Sequence, residues 1–320
     1  MPEIAHKWER ITDLPENYLE LSDPAFRDLT DEWFQARKWI KHEPFESFRE
    51  KVMREWAIET GQVERLYVLD DNLAKTMIEN GLDSVELSHQ ANGIGIIDTA
   101  GVIANHYEII NSLYEEIKQG RPLYATVIRA YHAAFVENQE FAVGVLPTGH
   151  HVHIRLLNGI FKRWPNNPST KDGIFEYCPQ EQVNSEMDRL LEIHEAHLKA
   201  KVPVDIEAAW LHHRFILIYP FQDGNGRMAR ALMSMEYIRS GFFPPVVTAD
   251  GKSEYLDALQ KADRGDLKPF VRHLSSLVTK KTFECIDFAK SFSDGTNHPD
   301  DVPPSPGPCK RHARDTTPGN

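Results

Sequence analysis

Apolar side chains recur at helical spacing along most of this chain. Between Phe26 and Ile40, Leu29, Trp33, Phe34 and Ala36 form one predicted apolar stripe. Phe48, Val52, Trp56 and Ile58 continue the pattern from Phe45 to Glu59. Asp70 and Asp71 begin a helix that runs to about Glu79 and ends at Asn80-Gly81. Longer helical patterns cover Asp98 to Lys118, Tyr124 to Glu137 and Val183 to Lys199. The last of these turns Met187, Leu190, Leu191 and Leu198 inward. Asp205 to Ile218, Arg227 to Ser240, Tyr255 to Lys261 and Leu267 to Glu284 complete the series. The pattern predicts an all-α bundle.

One stretch breaks the helical period. His151 to Trp164 is β-rich and alternates in part through Val152, Ile154 and Leu156. Pro165-Asn166-Asn167-Pro168 and Lys171-Asp172-Gly173 follow it as turn signals. A small β-hairpin, or flap, is expected over about residues 150–178. The chain then divides into an N-terminal helical segment (1–44), further N-terminal helices (45–100), a core (101–285) and a tail (291–320). The tail holds six prolines and few apolar groups, which predicts disorder.

Composition narrows the classes. A formal charge of -12 argues against a surface that coats nucleic acid. Cys178, Cys285 and Cys309 have neither zinc spacing nor the look of a disulfide framework, which favours a reducing compartment. No signal-peptide pattern opens the chain, and no apolar run approaches the ~20 residues of a membrane helix. The expectation is a soluble cytoplasmic protein with no nucleic-acid or membrane partner.

Chemistry concentrates between Tyr219 and Arg230. An apolar helix end (Phe215 to Ile218) meets Pro220, and Asp223-Gly224-Asn225-Gly226-Arg227 leads into the next helix. Two glycines let the backbone approach a ligand closely. The following helix offers free N–H groups and the positive end of its dipole, which suit phosphate. Asp223 is a hard oxygen ligand suited to magnesium held against phosphates. Arg227 and Arg230 can clamp phosphate as bidentate donors. A glycine-rich loop alone would be unremarkable as a surface turn, but the whole string Pro-Phe-x-Asp-Gly-Asn-Gly-Arg-x-x-Arg after a helix is long and specific.

That string resembles the active-site signature of the Fic (Fido-domain) family of AMP-transferring enzymes. The resemblance extends to the helix from Asp205 and to a flap at Asn158-Gly159-Ile160-Phe161-Lys162 with Pro165 to Pro168, over which the family lays its target side chain. It also takes in a nucleotide-side helix at Tyr255, and covers roughly residues 45–285. It implies a Fic-type helical bundle in which Asp223 holds magnesium. Gly224, Asn225 and Gly226 would form the anion hole for ATP. Arg227, Arg230 and Tyr255 would contact the nucleotide. The reaction implied moves AMP from ATP to a Ser, Thr or Tyr hydroxyl of a target protein, with self-modification as a further outcome. The phosphorylating Doc-like branch has lysine at the position of Gly226, so this chain fits the AMP-transferring branch. The flap could accept a target segment as an added strand. The helices before Phe45 could serve a homodimer or simple packing.

Two departures matter. Thr60-Gly61-Gln62-Val63-Glu64 resembles the family's inhibitory motif, whose glutamate pairs with the second arginine and displaces the γ-phosphate. Glu64 with Arg230 would be that pair, although Arg65 stands where the family has Gly or Asn. The second departure is Tyr219, at the position of the family's histidine base. A phenol near pKa ~10 is about one part in a thousand ionised at pH 7. Three readings follow: a weak or inactive member that still binds nucleotide, a phenol activated by Arg227, or replacement by another histidine such as His212 or His213. The runner-up function is a catalytically inactive nucleotide-binding or target-binding module.

Overall fold

A computed structural model describes residues 4–87, 90–91, 96–145, 150–170 and 173–293. Among them ten helices dominate: α1 (Pro24–Ala36), α2 (His42–Val63), α3 (Asp71–Asn80), α4 (Thr99–Lys118), α5 (Ala125–Phe135), α6 (Val183–Ala200), α7 (Val204–Ile218), α8 (Asn225–Arg239), α9 (Lys252–Asp263) and α10 (Lys268–Ser293). The strands are short: β1 (Ile4–His6), β2 (Gln90–Ala91), β3 (Ile96–Ile97), β4 (Phe141–Val145), β5 (His151–Arg155), β6 (Ser169–Thr170) and β7 (Gly173–Phe175). The all-α expectation holds. No helix among the described residues is long and apolar enough to cross a membrane.

Helices α7 and α8 form the centre. Trp210, Phe215, Met228, Met233 and Tyr237 are fully enclosed, and both helices are buried around most of their circumference, as core helices are. α2 crosses this pair, with the Trp56 indole donating to Ser234 Oγ at 3.1 Å. α1 starts at Pro24 after an Asp23 cap and buries Phe26, Leu29, Trp33 and Ala36. Phe34 departs from the predicted stripe. It lies off that face, stays 42% exposed and leans edge-on against Phe242. Trp33 is enclosed and its indole donates to Gly241 O at 2.9 Å. Trp33→Ala is expected to cost about 3–5 kcal/mol, read from the midpoint of urea unfolding.

α6 gives a second correction. Leu198 points outward, because the end of the inward face is polar. His194 Nδ1 and His197 Nδ1 lie 2.7 and 2.6 Å from the two oxygens of buried Glu207. His197 Nε2 meets Asp13 at 2.7 Å. Asp13 belongs to an N-terminal strap. Glu186 accepts from Arg10 Nε and Ile11 N, while Trp210 and Arg214 donate to Thr12 O.

The β regions also differ from expectation. Strand β5 matches the alternating stretch, but it pairs antiparallel with β4, so this hairpin begins at Phe141 rather than near residue 150. Phe141, Val143 and Val145 alternate only within a stretch too short to stand out from helical neighbours. The second hairpin, β6 with β7, lies where the turn signals placed the flap, and β1 joins it in parallel alongside β7. Helix α10 runs through Ser293, three residues into the segment expected to be disordered. The rest of the tail lies outside the described residues.

Candidate active site

The site is the turn between α7 and α8. Tyr219 ends α7 in the left-handed conformation (φ 48°, ψ 59°), its N–H still bonded to Phe215 O at 2.9 Å. Pro220 then prevents the helix from resuming. Gly224 takes φ 78°, and a β-carbon there would lie 3.0 Å from Val136 Cγ1 and 3.3 Å from His132 Nε2, so a side chain is excluded twice over. The Asn225 side chain closes the loop on itself. Its Oδ1 accepts from Phe221 N at 2.9 Å and its Nδ2 donates to Phe221 O at 2.8 Å. The first intrahelical donor is Met228 N, bonded to Gly224 O at 3.0 Å. The amides of Asn225, Gly226 and Arg227 therefore precede the helical ladder and are available to an anion.

Arg230, on the first turns of α8, is 2% exposed. Its Nε donates to Thr60 Oγ1 at 2.9 Å, and its NH2 donates to Thr60 O at 3.1 Å and Glu64 Oε1 at 2.7 Å. Glu64 sits at the C-terminal end of α2 and hangs over the start of α8. A β-carbon on Gly226 would lie 2.3 Å from Glu64 Oε1. The pair that the resemblance implied thus meets at the start of α8. Burial pushes the Glu64 carboxyl up, but Arg230, Arg227 and Lys252 outweigh it and leave it below its ordinary range. Arg65 adopts φ 56°, while Leu66 N bonds back to Gly61 O at 3.1 Å. This left-handed helix end is the reason a Gly or Asn would suit position 65.

Arg227 is enclosed and engaged elsewhere. Its NH1 donates to Phe135 O at 2.6 Å and its NH2 to Gln139 Oε1 at 2.7 Å. The other end of the Gln139 amide donates to Asp223 Oδ2, so this residue, which the sequence reading missed, ties the candidate metal ligand to an arginine. Asp223 Oδ1 accepts from Gly224 N at 2.7 Å. No group of three or more His, Cys, Asp or Glu suited to a metal occurs among the described residues. A single carboxylate beside free helix amides fits magnesium bound mainly through phosphate oxygens, not an all-protein cage. Gln139→Ala should weaken magnesium-dependent nucleotide binding by about 10–100-fold, as removal of supports behind metal ligands does. Calorimetry with and without magnesium checks it; an equal loss in both conditions would assign Gln139 a purely structural role.

Tyr219 stacks flat on Tyr177, centroids 4.0 Å apart and planes within 5°. Burial, then Tyr177, Glu64 and Asp223, push its phenol well above the usual tyrosine value, against a hydrogen bond from Asn225. The reading in which Arg227 activates the phenol is overturned, because that guanidinium is turned to Phe135 and Gln139. The histidine-replacement reading loses its named candidates. His212 Nε2 lies 2.6 Å from the Tyr255 hydroxyl, and His213 Nε2 lies 3.0 Å from Asp263 Oδ1. Tyr255 itself is 3% exposed and reaches Arg230, so it backs the arginine.

The segment leading into the flap closes the site's other side. Gly159 N donates to His132 Nδ1 at 3.1 Å, which places the ring proton on Nε2, 2.9 Å from Asp223 O. The ring stacks on Phe221 at 3.6 Å, and burial pulls its pKa down to about 4, so His132 is neutral at pH 7. Arg129 Nε holds Gly159 O at 2.6 Å. Asn158 and Ile160 are exposed, and Phe161 packs on Phe221 at 5.3 Å. Lys162 turns inward: its N–H donates to Pro220 O at 2.8 Å and its ammonium to Asn166 Oδ1 at 2.9 Å. Burial lowers its pKa to about 8. His132, Gln139 and Tyr177 carried no motif signal, since each sits in an ordinary helical or loop pattern.

These observations define a helix-capped anion cradle faced by a flap. Residues 147–236 match the Fic/DOC family model. Among its relatives, the protein adenylyltransferase fic-1 of Caenorhabditis elegans is 39% identical over 87 residues, 27% of this chain and 17% of that protein. The protein adenylyltransferase Fic of Drosophila erecta is 31% identical over 157 residues, 49% of this chain and 26% of that protein. The chain thus spans about a quarter or less of these relatives. A solved Fic-domain signalling protein from Bacteroides thetaiotaomicron superposes with a TM-score of 0.67 at 24% identity, covering 83% of this chain and 98% of that one. A Fic-1 structure from C. elegans gives 0.63 at 18% identity, covering 82% and 70%. At these identities the superpositions establish the fold.

Proposed function

We propose that this chain is a protein AMP transferase scaffold that binds ATP with magnesium, is held shut by Glu64 and is slowed at one step by Tyr219. The observation that carries it is the Glu64–Arg230 pair at 2.7 Å over Gly226, a carboxylate lying where the helix start would take a phosphate. The relatives named as adenylyltransferases support the transfer chemistry. In the open form the amides of Asn225, Gly226 and Arg227 and the Arg230 guanidinium receive the phosphates. Asp223 would hold magnesium, which neutralises phosphate charge when bound. The acceptor is a Ser, Thr or Tyr hydroxyl of a target protein, or of the chain itself, laid between the flap and Tyr219. Its oxygen attacks the α-phosphorus, the bond to pyrophosphate breaks, and the hydroxyl proton must leave to a base.

A second reading has its own support. The phenol of Tyr219 is raised in pKa and stacked in place, which favours a nucleotide-binding or target-binding module without turnover. Labelled ATP with magnesium separates the two. The test compares the chain as it stands, Tyr219→His, and Tyr219→His with Glu64→Gly, in self-labelling and in cell lysate. Transfer by the double variant supports the transferase. ATP binding without any transfer supports the module, and no ATP binding by any form removes the nucleotide site.

A further inference from the structure

The end of α7 and the turn after it present carbonyl groups that no helical ladder satisfies. The chain on either side of the β6–β7 hairpin supplies donors to them. Lys162 N donates to Pro220 O at 2.8 Å, Cys178 N to Leu217 O at 3.3 Å and Asn166 Nδ2 to Phe221 O at 2.8 Å. The Lys162 ammonium donates to Asn166 Oδ1 at 2.9 Å and lies 3.5 Å from Ile218 O, the last carbonyl of the helix. One lysine therefore touches the carbonyls on both sides of position 219, Ile218 through its side chain and Pro220 through its main chain. Asn167 Oδ1 accepts from Tyr177 N at 3.0 Å and closes the neck of the hairpin. A left-handed tyrosine at 219 (φ 48°) persists only where its surroundings fix it, and this set of bonds does so.

The ammonium is the unusual member of this set. Lys162 is 5% exposed, and both of its oxygen partners are uncharged. The titratable side chains that face it are the Cys178 thiol and the Tyr177 phenol, whose ring centroid lies 5.9 Å from Nζ. Burial raises both of them far above the neutral range, and Glu181 and Glu186 act on the thiol beyond. Tyr177 is in turn stacked on Tyr219. The cost of desolvation is what brings the Lys162 pKa down to about 8. In exchange, a charged donor holds an oxygen more strongly than a neutral one, and a cation suits the C-terminal end of a helix. Loss of the charge does not unfold the chain. The unfolded lysine, near ~10.4, keeps its proton to higher pH than the folded one, so deprotonation between these values favours the folded state. Its effect is therefore local to the neck and the turn.

We propose that Lys162 is a positioning residue for the side chain at 219, using its charge to bind the neck of the flap to the end of α7. With the ammonium in place, the neck and position 219 keep one fixed relation. With the amine neutral, the hold on Ile218 O and Asn166 weakens and the side chain at 219 loses its single orientation. This task lies away from the target, in contrast to the target-facing place that the resemblance implied for Lys162. Its consequence for turnover rests on the AMP-transfer reading above: the acceptor oxygen lies between the flap and residue 219, so the charge on Lys162 sets how well it is aimed.

Tyrosine ring resonances of the full chain, followed without nucleotide from about pH 6.5 to 9.5, test this separately from the transfer reading. Tyr219 is assigned by its absence in Tyr219→His. Its ring resonance is expected to move in one step with a midpoint at about 8, a range in which neither Tyr177 nor Tyr219 ionises. Lys162→Met should abolish the step. Asn166→Asp sets a carboxylate beside the ammonium and should carry the midpoint above about pH 9, which decides the question even if the methionine variant fails to fold. No step in the unsubstituted chain, a step that survives in Lys162→Met, or an unmoved midpoint in Asn166→Asp overturns the proposal. Turnover is read in the chain carrying Tyr219→His with Glu64→Gly. There Lys162→Met should lower the rate of label transfer about tenfold at neutral pH, with the KM for ATP unchanged. Equal rates with and without Lys162→Met overturn its part in turnover. A step in the resonance with no transfer by any form removes the transfer reading and leaves Lys162 as the holder of residue 219.

Discussion

Tyr219→His is expected to raise the rate of AMP transfer by about 10²–10⁴-fold, the usual contribution of a positioned general base. A histidine near pKa ~6.5 can accept a hydroxyl proton at neutral pH, whereas a buried phenol is protonated throughout the physiological range. The backbone favours the change, because position 219 is left-handed (φ 48°) and histidine is enriched there among non-glycine residues. Removing the phenol also ends its stack on Tyr177 and frees space against the flap. ATP affinity should change little, since Asp223, the helix amides and Arg230 are untouched. Initial rates of label transfer, measured with Glu64→Gly in the same chain to keep the site open, provide the check. Unchanged rates in a variant that binds ATP would assign Tyr219 no part in limiting turnover.

Glu64→Gly is the second large effect. A hydrogen bond to a charged partner contributes about 1.5–3 kcal/mol. Apparent nucleotide affinity scales with the open fraction, so removing the contact should tighten ATP binding by roughly 10–100-fold. Calorimetry on the two forms decides; equal affinities would remove Glu64 as a gate. The pH dependence follows from the lowered Glu64 pKa. Its contribution is present above the unfolded carboxyl value near ~4.3 and is lost only as pH falls through the still lower folded value. Between pH 5 and 8 the gate should therefore hold steadily, with no change in the ratio of the two affinities.

The sequence made the helices legible because most of them bury one face, and a 3.6-residue period survives in such a pattern. Errors occurred where burial and polarity separate. Leu198 is outward because His194 and His197 take the inward positions around Glu207. Phe34 is a large apolar group at an exposed position, and strand β4 is too short to register. At the site, Asp223 to Arg230 could be named because their chemistry is tied to residue type and spacing, whereas the Glu64–Arg230 pair was implied only by the family resemblance. Gln139 and His132 could not, since their roles come from tertiary contacts with Asp223, Arg227 and Gly159. The side-chain direction of Arg227 was equally hidden: on a buried helix start it turned to the carbonyl end of α5.

The 2.3 Å separation between Glu64 Oε1 and a β-carbon built on Gly226 makes two evolutionary options mutually exclusive in this fold. Any residue larger than glycine at 226 would push the carboxylate aside, so a lysine there could not coexist with the Glu64–Arg230 contact as it stands. Glycine at 226 thus keeps clear the space that the Glu64 carboxylate occupies. Under the gating proposed above, one substitution at 226 would therefore act as a release of the gate without touching Glu64 or Arg230.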